Sequence, residues 1–137
     1  MHSFDVHVRS YEIDGYGHVN NAVYQQWFEE GRERFLRTKG RDYDWYPREL
    51  GLMVVVARNE IDFLIGAKRG DSVKVTTRLE AIGNKSFTFR HQVIRADGAL
   101  LVQGKTVMCF AHAGRSVIVP SDFRDLYLPE PEAIPGA

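Results

Sequence analysis

A short polar loop, Asp14-Gly15-Tyr16-Gly17-His18-Val19-Asn20-Asn21, contains the residues of this chain that are best suited to chemistry. It runs directly into an amphipathic helix that is predicted to begin near Ala22. A carboxylate such as that of Asp14 can serve as a general base or as a nucleophile. The first backbone N–H groups of a helix lack partners inside the helix and favour negative charge. Acyl transfer uses both parts, because the attacked carbonyl oxygen becomes an oxyanion.

Each residue of this loop also has a purely structural interpretation. Asp14 could be an ordinary loop or capping residue, and Asn20 and Asn21 suit an N-cap. The chemistry expected at Asn21 therefore belongs to backbone N–H groups. Gly17 allows a tight turn, and its missing side chain would also let a substrate approach closely. His18 could act as a base, but no carboxylate or nucleophile stands at a recognisable spacing to orient it, so positioning the loop is the simpler role.

Hydrophobic periodicity predicts one strand and one long helix before residue 40. Residues 4–11 alternate between apolar and polar, which is typical of a strand. The helix is predicted over about 22–39, with Gly40 as its stop signal. Its buried face is formed by residues at helical spacing: Tyr24, Trp27, Phe28, Gly31 and Phe35. Glycine costs up to about 1 kcal/mol against alanine inside a helix, so we expect a sheet to pack closely at Gly31. Residues 41–50 are interpreted as a connecting segment with room for a helical turn.

Four segments rich in β-branched and aromatic residues follow, over 53–65, 72–82, 86–95 and 99–111. Turn signals separate them, and Asp97-Gly98 is a strong hairpin signal. Successive hairpins would make these strands mostly antiparallel, with the early helix covering one large sheet. The predicted fold class is α+β, a curled antiparallel sheet wrapped around one central helix. We expect one domain over residues 1–128 and a Pro-rich tail over 129–137.

Bulk composition disfavours several classes of function. The chain has 137 residues, and its 18 Lys and Arg balance 18 Asp and Glu, so no overall field attracts nucleic acid or an acidic membrane. No apolar run approaches the roughly 20 residues needed to cross a bilayer, and the N-terminus lacks a signal-peptide pattern. The single cysteine, Cys109, fits a reducing compartment, and we expect a cytoplasmic protein. The histidines form no ligand pattern with Cys109, so no metal site is expected.

The segment Asp14-x-x-x-His18-Val19-Asn20-Asn21-x-x-Tyr24, followed by Phe28-Glu29-Glu30-x-Arg32, resembles hotdog-fold acyl-CoA thioesterases of the 4-hydroxybenzoyl-CoA type. Within this family, the segment resembles the bacterial long-chain acyl-CoA thioesterase branch. Weaker matches continue through Ile61-Asp62-Phe63, Gly70-Asp71 and the turn at 114–120, and are informative only in their order. The resemblance covers most of residues 4–120.

This resemblance implies a hotdog fold and hydrolysis of acyl-CoA to a free acid and CoA, without a metal or an organic cofactor. It implies that Asp14 is the catalytic carboxylate and that amides around Asn21 polarise the thioester carbonyl. Tyr24, together with Trp27 and Phe28, is expected to shape the helix and the acyl pocket. In this family the site lies between two subunits, so a homodimer is expected, with pairing into a homotetramer.

Further substrate-binding residues are expected beside Asn20 and Tyr24. The hairpin residues Asn84, Lys85 and Ser86 resemble those that meet CoA phosphates in the family, although such a hairpin is usually only solvated. Asn59 interrupts an apolar strand and shares a face with Val55, Ala57, Ile61 and Phe63. Burial there requires hydrogen-bond partners, so Asn59 is a candidate for lining the site.

Two alternatives stay open beside hydrolysis. The first is a non-hydrolytic module that binds acyl-CoA or an acyl carrier, which the presence of Asp14 disfavours. The second is a hotdog dehydratase or hydratase. Such enzymes rely on a catalytic histidine paired with an acid on another element, and the sequence has no clear pair of that type.

Overall fold

The computed structural model describes residues 1–130, so most of the Pro-rich tail expected over 129–137 lies outside the described residues. Within these residues the fold consists of one long helix, two short helices and six strands, besides a 3₁₀ turn at Ser10–Glu12. The strands are β1 (His2–His7), β2 (Met53–Phe63), β3 (Ser72–Ile82), β4 (Ser86–Arg95), β5 (Leu100–His112) and β6 (Arg115–Val117). The helices are α1 (Asn21–Arg37), α2 (Trp45–Leu50) and α3 (Ser121–Leu126).

The strands form one antiparallel sheet in the order β1-β3-β4-β5-β2, with β6 paired to β5. The hairpins at 83–85 and at Asp97-Gly98 are confirmed, since they join β3 to β4 and β4 to β5. The expectation of a hairpin between β2 and β3 is wrong, because β2 pairs with β5 at the opposite edge. The amides of Leu64 and Ile65 both donate to the carbonyl of Leu101, and the chain then crosses the end of the sheet before β3 begins.

Helix α1 lies on the concave face of this sheet, as the sequence predicts. Its buried residues include Tyr24, Trp27, Phe28 and Phe35. Gly31 is the point of closest approach, because a Cβ built there would lie 2.3 Å from Thr77 Oγ1 on β3. The close packing expected from this glycine is therefore confirmed. It fixes the height of the helix above the sheet and hence the width of the clefts beside it.

Two local features differ from the sequence-based expectations. β1 ends at His7, and the rest of the predicted first strand bends into the 3₁₀ turn. Ser121–Leu126 is a short helix that the sequence did not define, whereas the short helix at Trp45–Leu50 fits the helical turn for which residues 41–50 left room. They cover one end of the sheet together, where Tyr46 donates from its hydroxyl to Asp122 Oδ1 and Arg41 donates twice to the same carboxylate. Within residues 1–130, no helix is long and apolar enough to cross a membrane.

Candidate active site

The carboxylate of Asp14 is held by the backbone of its own loop. Its Oδ1 accepts hydrogen bonds from the amides of Tyr16 at 2.9 Å and His18 at 3.4 Å. The Asp14 amide donates to the His18 carbonyl at 2.8 Å, which closes the loop. Oδ2 has no hydrogen-bond partner among the described residues. The carboxylate is thus oriented through one oxygen, and its second oxygen remains available.

The beginning of α1 leaves one backbone donor available. Asn20 is the N-cap: its Oδ1 accepts from the Ala22 amide at 2.9 Å, and its carbonyl accepts from the Val23 amide at 2.9 Å. The amide of Asn21 has no acceptor within residues 1–130. An unpaired N–H at a helix N-terminus is suited to an anionic oxygen.

Asp14, His18, Asn21 and Tyr24 line one cleft of about 280 Å³. The other lining residues are Tyr16, Val19, Phe63, Ile65 and Gly66. The structure therefore brings together four of the residues predicted from the sequence. Tyr16, Ile65 and Gly66 were missed, because nothing in the sequence shows that the segment after β2 lies against this loop.

Gly17 and Asn20 do not line this cleft and act on the backbone around it. Gly17 has a φ of +82°, in the left-handed region that favours glycine, and a Cβ there would meet no atom within 4 Å. The backbone conformation is therefore what requires glycine at this position. The side chain of Asn20 is bonded to the Ala22 amide, which matches the N-cap interpretation.

Tyr24 connects α1 to the segment after β2. Its hydroxyl accepts a hydrogen bond from the Ala67 amide at 3.1 Å, while the Ala67 carbonyl accepts one from the Val19 amide at 2.8 Å. Burial raises the pKa of the Tyr24 phenol above its ordinary value, and the nearby charge of Asp14 adds to this effect. Tyr24 is therefore a neutral phenol at physiological pH, and it holds one wall of the cleft in place.

His18 packs over Gly66 and pairs with no carboxylate of the described residues. A Cβ built on Gly66 would lie 2.7 Å from His18 Cγ and 2.8 Å from Cδ2. Within the described residues the imidazole of His18 makes no hydrogen bond, although its backbone amide donates to Asp14. This arrangement favours a positioning role, in which the ring on Gly66 fixes the loop that carries Asp14.

For the thioester hydrolysis that the resemblance implies, we expect Gly66→Ala to lower kcat roughly 10- to 100-fold, because the new methyl group displaces His18 and shifts the Asp14 carboxylate. Initial rates of thiol release, compared with wild type at equal folded concentration, measure the effect. Removing the ring with His18→Ala should restore part of the lost kcat in the Gly66→Ala background. If His18→Ala alone abolishes activity, His18 has a direct catalytic role and the positioning interpretation is wrong.

A second cleft, of about 320 Å³, continues along α1 and contains Asn59. Its lining consists of Ala22, Gln25, Gln26, Phe28, Glu29, Arg32, Val56, Asn59 and Ile61. The strand register shifts between Val56 and Arg58, so Val56, and not Val55 or Ala57, shares this lining with Asn59. Asn59 is exposed, so the burial considered for it is absent, but it has a hydrogen-bond partner, because Thr106 Oγ1 donates to Asn59 Oδ1 at 2.8 Å.

A buried polar cluster stands behind this second cleft. Arg32 Nη1 donates to Thr106 Oγ1 at 3.2 Å and to His91 Nε2 at 3.3 Å, and Arg32 Nε donates to the Tyr43 hydroxyl at 3.3 Å. Burial, together with the charge of Arg32, holds the pKa of His91 well below its ordinary value. No role was predicted for Arg32 from the sequence. Phe28 lies four residues before Arg32 and Phe35 lies three residues after it, and this spacing places Arg32 on the buried helix face.

The hairpin with Asn84, Lys85 and Ser86 is remote from the Asp14 cleft within one chain. Ser86 pairs with Cys109 on β5, whereas the cleft is near Leu101, about 26 Å away along the strand. Nearer cations are Lys68 and Arg69, which are exposed and directly follow Ala67. In the part of the chain that the structure describes, no three His, Cys, Asp or Glu side chains are grouped to hold a metal ion.

Fold and cleft define a hotdog protein of the thioesterase type. A sequence profile of the thioesterase-like superfamily matches residues 8–127, and the chain belongs to this superfamily. A putative esterase of Aquifex aeolicus is 32% identical over 115 residues, covering 84% of this chain and 88% of the relative. The chloroplastic acyl-acyl carrier protein thioesterase ATL3 of Arabidopsis thaliana is 27% identical over 130 residues, covering 93% and 68% respectively. The structure of a thioesterase from Thermus thermophilus, complexed with coenzyme A and Zn, is 31% identical with a TM-score of 0.78, covering 90% and 94%.

Proposed function

We propose that this protein hydrolyses acyl-CoA thioesters to a free acid and CoA at the Asp14 cleft. The observation that carries the proposal is that an oriented carboxylate and an unpaired helix amide, that of Asn21, line the same cleft. The thioester carbonyl oxygen would accept from the Asn21 N–H, and negative charge developing on it would be stabilised there. Removing one such donor costs other hydrolases about 3 kcal/mol of barrier.

Two chemical routes are open to Asp14. As a general base, it would take a proton from water as the water attacks the thioester carbon, and CoA thiolate would leave. As a nucleophile, its Oδ2 would attack the carbon, release CoA thiolate and form a mixed anhydride that water then hydrolyses. Both routes use the same amide at the oxyanion. Neither needs a metal ion or an organic cofactor.

CoA as the carrier of the acyl group is supported by the Thermus thioesterase, which was solved with coenzyme A. The Arabidopsis relative, an acyl-acyl carrier protein thioesterase, makes an acyl carrier protein the alternative carrier. Lys68 and Arg69 stand beside the cleft and could meet CoA phosphates. Asn84, Lys85 and Ser86 could do so only from a neighbouring copy. The long-chain branch and the cytoplasmic location stay predictions.

A homodimer formed through β2 is part of the proposal. β2 is an eleven-residue strand that pairs only with β5 among the described residues, and Met53, Val56 and Phe63 on it are 46–55% exposed. Long apolar edges of this kind are normally covered. Val56 and Phe63 also line the two clefts, so a second copy on β2 would close them. Pairing of dimers into a tetramer stays a prediction from the resemblance.

Thiol release from a panel of acyl-CoA substrates tests the function. The panel consists of 4-hydroxybenzoyl-CoA, octanoyl-CoA and palmitoyl-CoA, and we expect turnover of at least one of them. Sedimentation equilibrium on the same preparation should show a dimer or a larger even-numbered assembly. Calorimetric binding without turnover would identify a binding module, and hydration of an enoyl-CoA without thiol release would identify a hydratase. Either result would reject the proposal.

A further inference from the structure

We propose that the groove between α1 and β2 selects acyl groups with a carboxylate at the end remote from the thioester, and that Arg32 binds this carboxylate. The favoured substrates would be monothioesters of dicarboxylic acids. This inference rests on the proposed thioesterase function and adds a substrate class to it.

Arg32 is a buried charge that has no counterion within residues 1–130. Its side chain is 5% exposed, and its partners are the hydroxyls of Tyr43 and Thr106 and the ring of His91. Among the described residues, none of the ion pairs within 4.0 Å includes Arg32. A guanidinium remains charged at physiological pH, and burying such a charge unpaired is costly. The position therefore calls for an anion.

The neighbouring histidine does not neutralise or share this charge. A guanidinium can only donate, so His91 Nε2 accepts from Arg32, and Nδ1–H is left to donate to Thr77 Oγ1 at 3.1 Å. His91 is 1% exposed and stacks flat on Phe28, with ring centroids 4.5 Å apart. It serves as a neutral support that holds one edge of the guanidinium.

One nitrogen of the guanidinium, Nη2, is unused among the described residues and is not fully buried. Arg32 lines the second cleft, and its Nη2 has no hydrogen-bond partner within residues 1–130. In the described chain, only His2 Nδ1 is both fully buried and without a hydrogen-bond partner. Since Nη2 also lacks a partner, it must be partly accessible. A donor that is accessible but unused can meet a carboxylate oxygen. Charge-assisted bonds from arginine to a carboxylate are strong and geometrically specific.

The two clefts succeed each other along one groove. α1 and β2 run in opposite directions: Asn21 and Phe63 line the first cleft, while Gln25 and Ile61 line the second on the same faces. From Asn21 to Arg32 the helix rises about 16 Å. An extended chain advances roughly 1.2 Å per bond, so an acyl group of about a dozen carbons would reach from the Asn21 amide to Arg32.

The walls of the second cleft combine apolar and polar side chains, with Gln25, Gln26 and Asn59 among the polar ones. Phe28, Val56 and Ile61 supply apolar surface in the second cleft. Glu29 is the one carboxylate in its lining; it is exposed and forms no ion pair with Arg32. A plain fatty acyl chain would fill the apolar part and leave Arg32 without an anion. An acyl group that ends in a carboxylate would fill the apolar part and also provide an anion for Arg32.

Paired substrates test the inference. Wild type should hydrolyse dodecanedioyl-CoA with at least tenfold higher kcat/KM than lauroyl-CoA, which has the same chain length. Arg32→Gln should remove this preference, while Arg32→Lys should retain part of it, because the charge stays but the planar guanidinium that bonds Thr106 and His91 while presenting Nη2 is lost. Arg34→Gln is the matched control, since Arg34 is an exposed arginine on the same helix that pairs with Glu30, and it should leave the ratio unchanged.

A measurement on wild type avoids any dependence on how the Arg32 variants fold. Free dodecanedioate should inhibit competitively at a concentration at least tenfold lower than laurate does. Equal inhibition by the two acids, or a dodecanedioyl preference that survives Arg32→Gln, would overturn the inference and leave the thioesterase proposal intact. The inference would also be overturned if the Arg32→Gln protein lost its dimer while the ratio of kcat/KM for the two substrates stayed unchanged. A carboxylate of a second copy would then be the counterion of Arg32. Failure to hydrolyse any thioester would instead reject the proposed function.

Discussion

Asp14→Asn is expected to lower kcat for thioester hydrolysis by about a thousand-fold, with little change in KM or in stability. The amide keeps the shape of the side chain, and its Oδ1 can still accept from the Tyr16 and His18 amides, so the loop should keep its conformation. The Asp14→Asn variant loses the carboxylate oxygen that can act as a base or as a nucleophile. General base catalysis alone is typically worth 10²- to 10⁴-fold. Steady-state thiol release across a substrate range separates kcat from KM, and a thermal melt reports on folding.

Asp97→Asn provides the matched control for this substitution. Asp97 also accepts a hydrogen bond from a backbone amide two residues later, that of Ala99 at 3.0 Å, but it lies in the β4–β5 hairpin. The Asp97→Asn substitution should leave kcat unchanged. If Asp14→Asn retains more than about a tenth of wild-type kcat, the carboxylate is not the catalytic group and its role is confined to the turn.

Isotope labelling can separate the two routes open to Asp14. In a single turnover in ¹⁸O-enriched water with enzyme in excess, the base route places the label only in the released acid. The anhydride route can also place it in the Asp14 side chain, when water attacks the aspartyl carbonyl. Mass spectrometry of the peptide that contains Asp14 would detect the label.

The part of the site that follows from sequence is the part that is local in the chain. Asp14, His18, Asn21 and Tyr24 converge because a tight loop followed by a helix N-terminus determines their positions within a few residues of chain. The left-handed φ of Gly17 and the cap at Asn20 are equally local. Side-chain spacing and turn chemistry carry such information directly.

The parts of the site that could not be predicted from the sequence depend on contacts between segments that are distant in the chain. Gly66 beneath His18 and the grouping of Arg32 with His91 and Thr106 require the strand order, which turn signals do not encode. The turn signals at 66–71 indicated a hairpin. Instead, the chain there crosses the end of the sheet from β2, at one edge, to β3, which lies near the other edge. The shift near Ala57 changes which residues share a face, so alternation along β2 predicted Ile61 correctly as a neighbour of Asn59 but wrongly named Val55 and Ala57.

Gly31→Ala is expected to destabilise the protein by about 2 kcal/mol, although alanine is the better helix former. The added methyl group would lie 2.3 Å from Thr77 Oγ1, a fully buried atom with little room to move. Overfilling of this kind costs about 1–3 kcal/mol. Moving Thr77 also strains its hydrogen bond with His91, and an unpaired buried donor costs a further 1–3 kcal/mol. The gain in helix propensity, about 1 kcal/mol, offsets only part of these losses.

Urea denaturation followed by far-ultraviolet circular dichroism measures this loss, at one fixed protein concentration because a dimer makes stability concentration-dependent. A lowering of Tm by about 6–8 °C should accompany it. Gly15→Ala is the control, since a Cβ there meets no atom within 4 Å and its φ is not in the left-handed region, so its unfolding free energy should stay near that of wild type. In the Thr77→Ala background, Gly31→Ala should cost clearly less, because the clashing oxygen is gone. An equal cost in both backgrounds would mean that Gly31 is required for a reason other than the approach of α1 to β3.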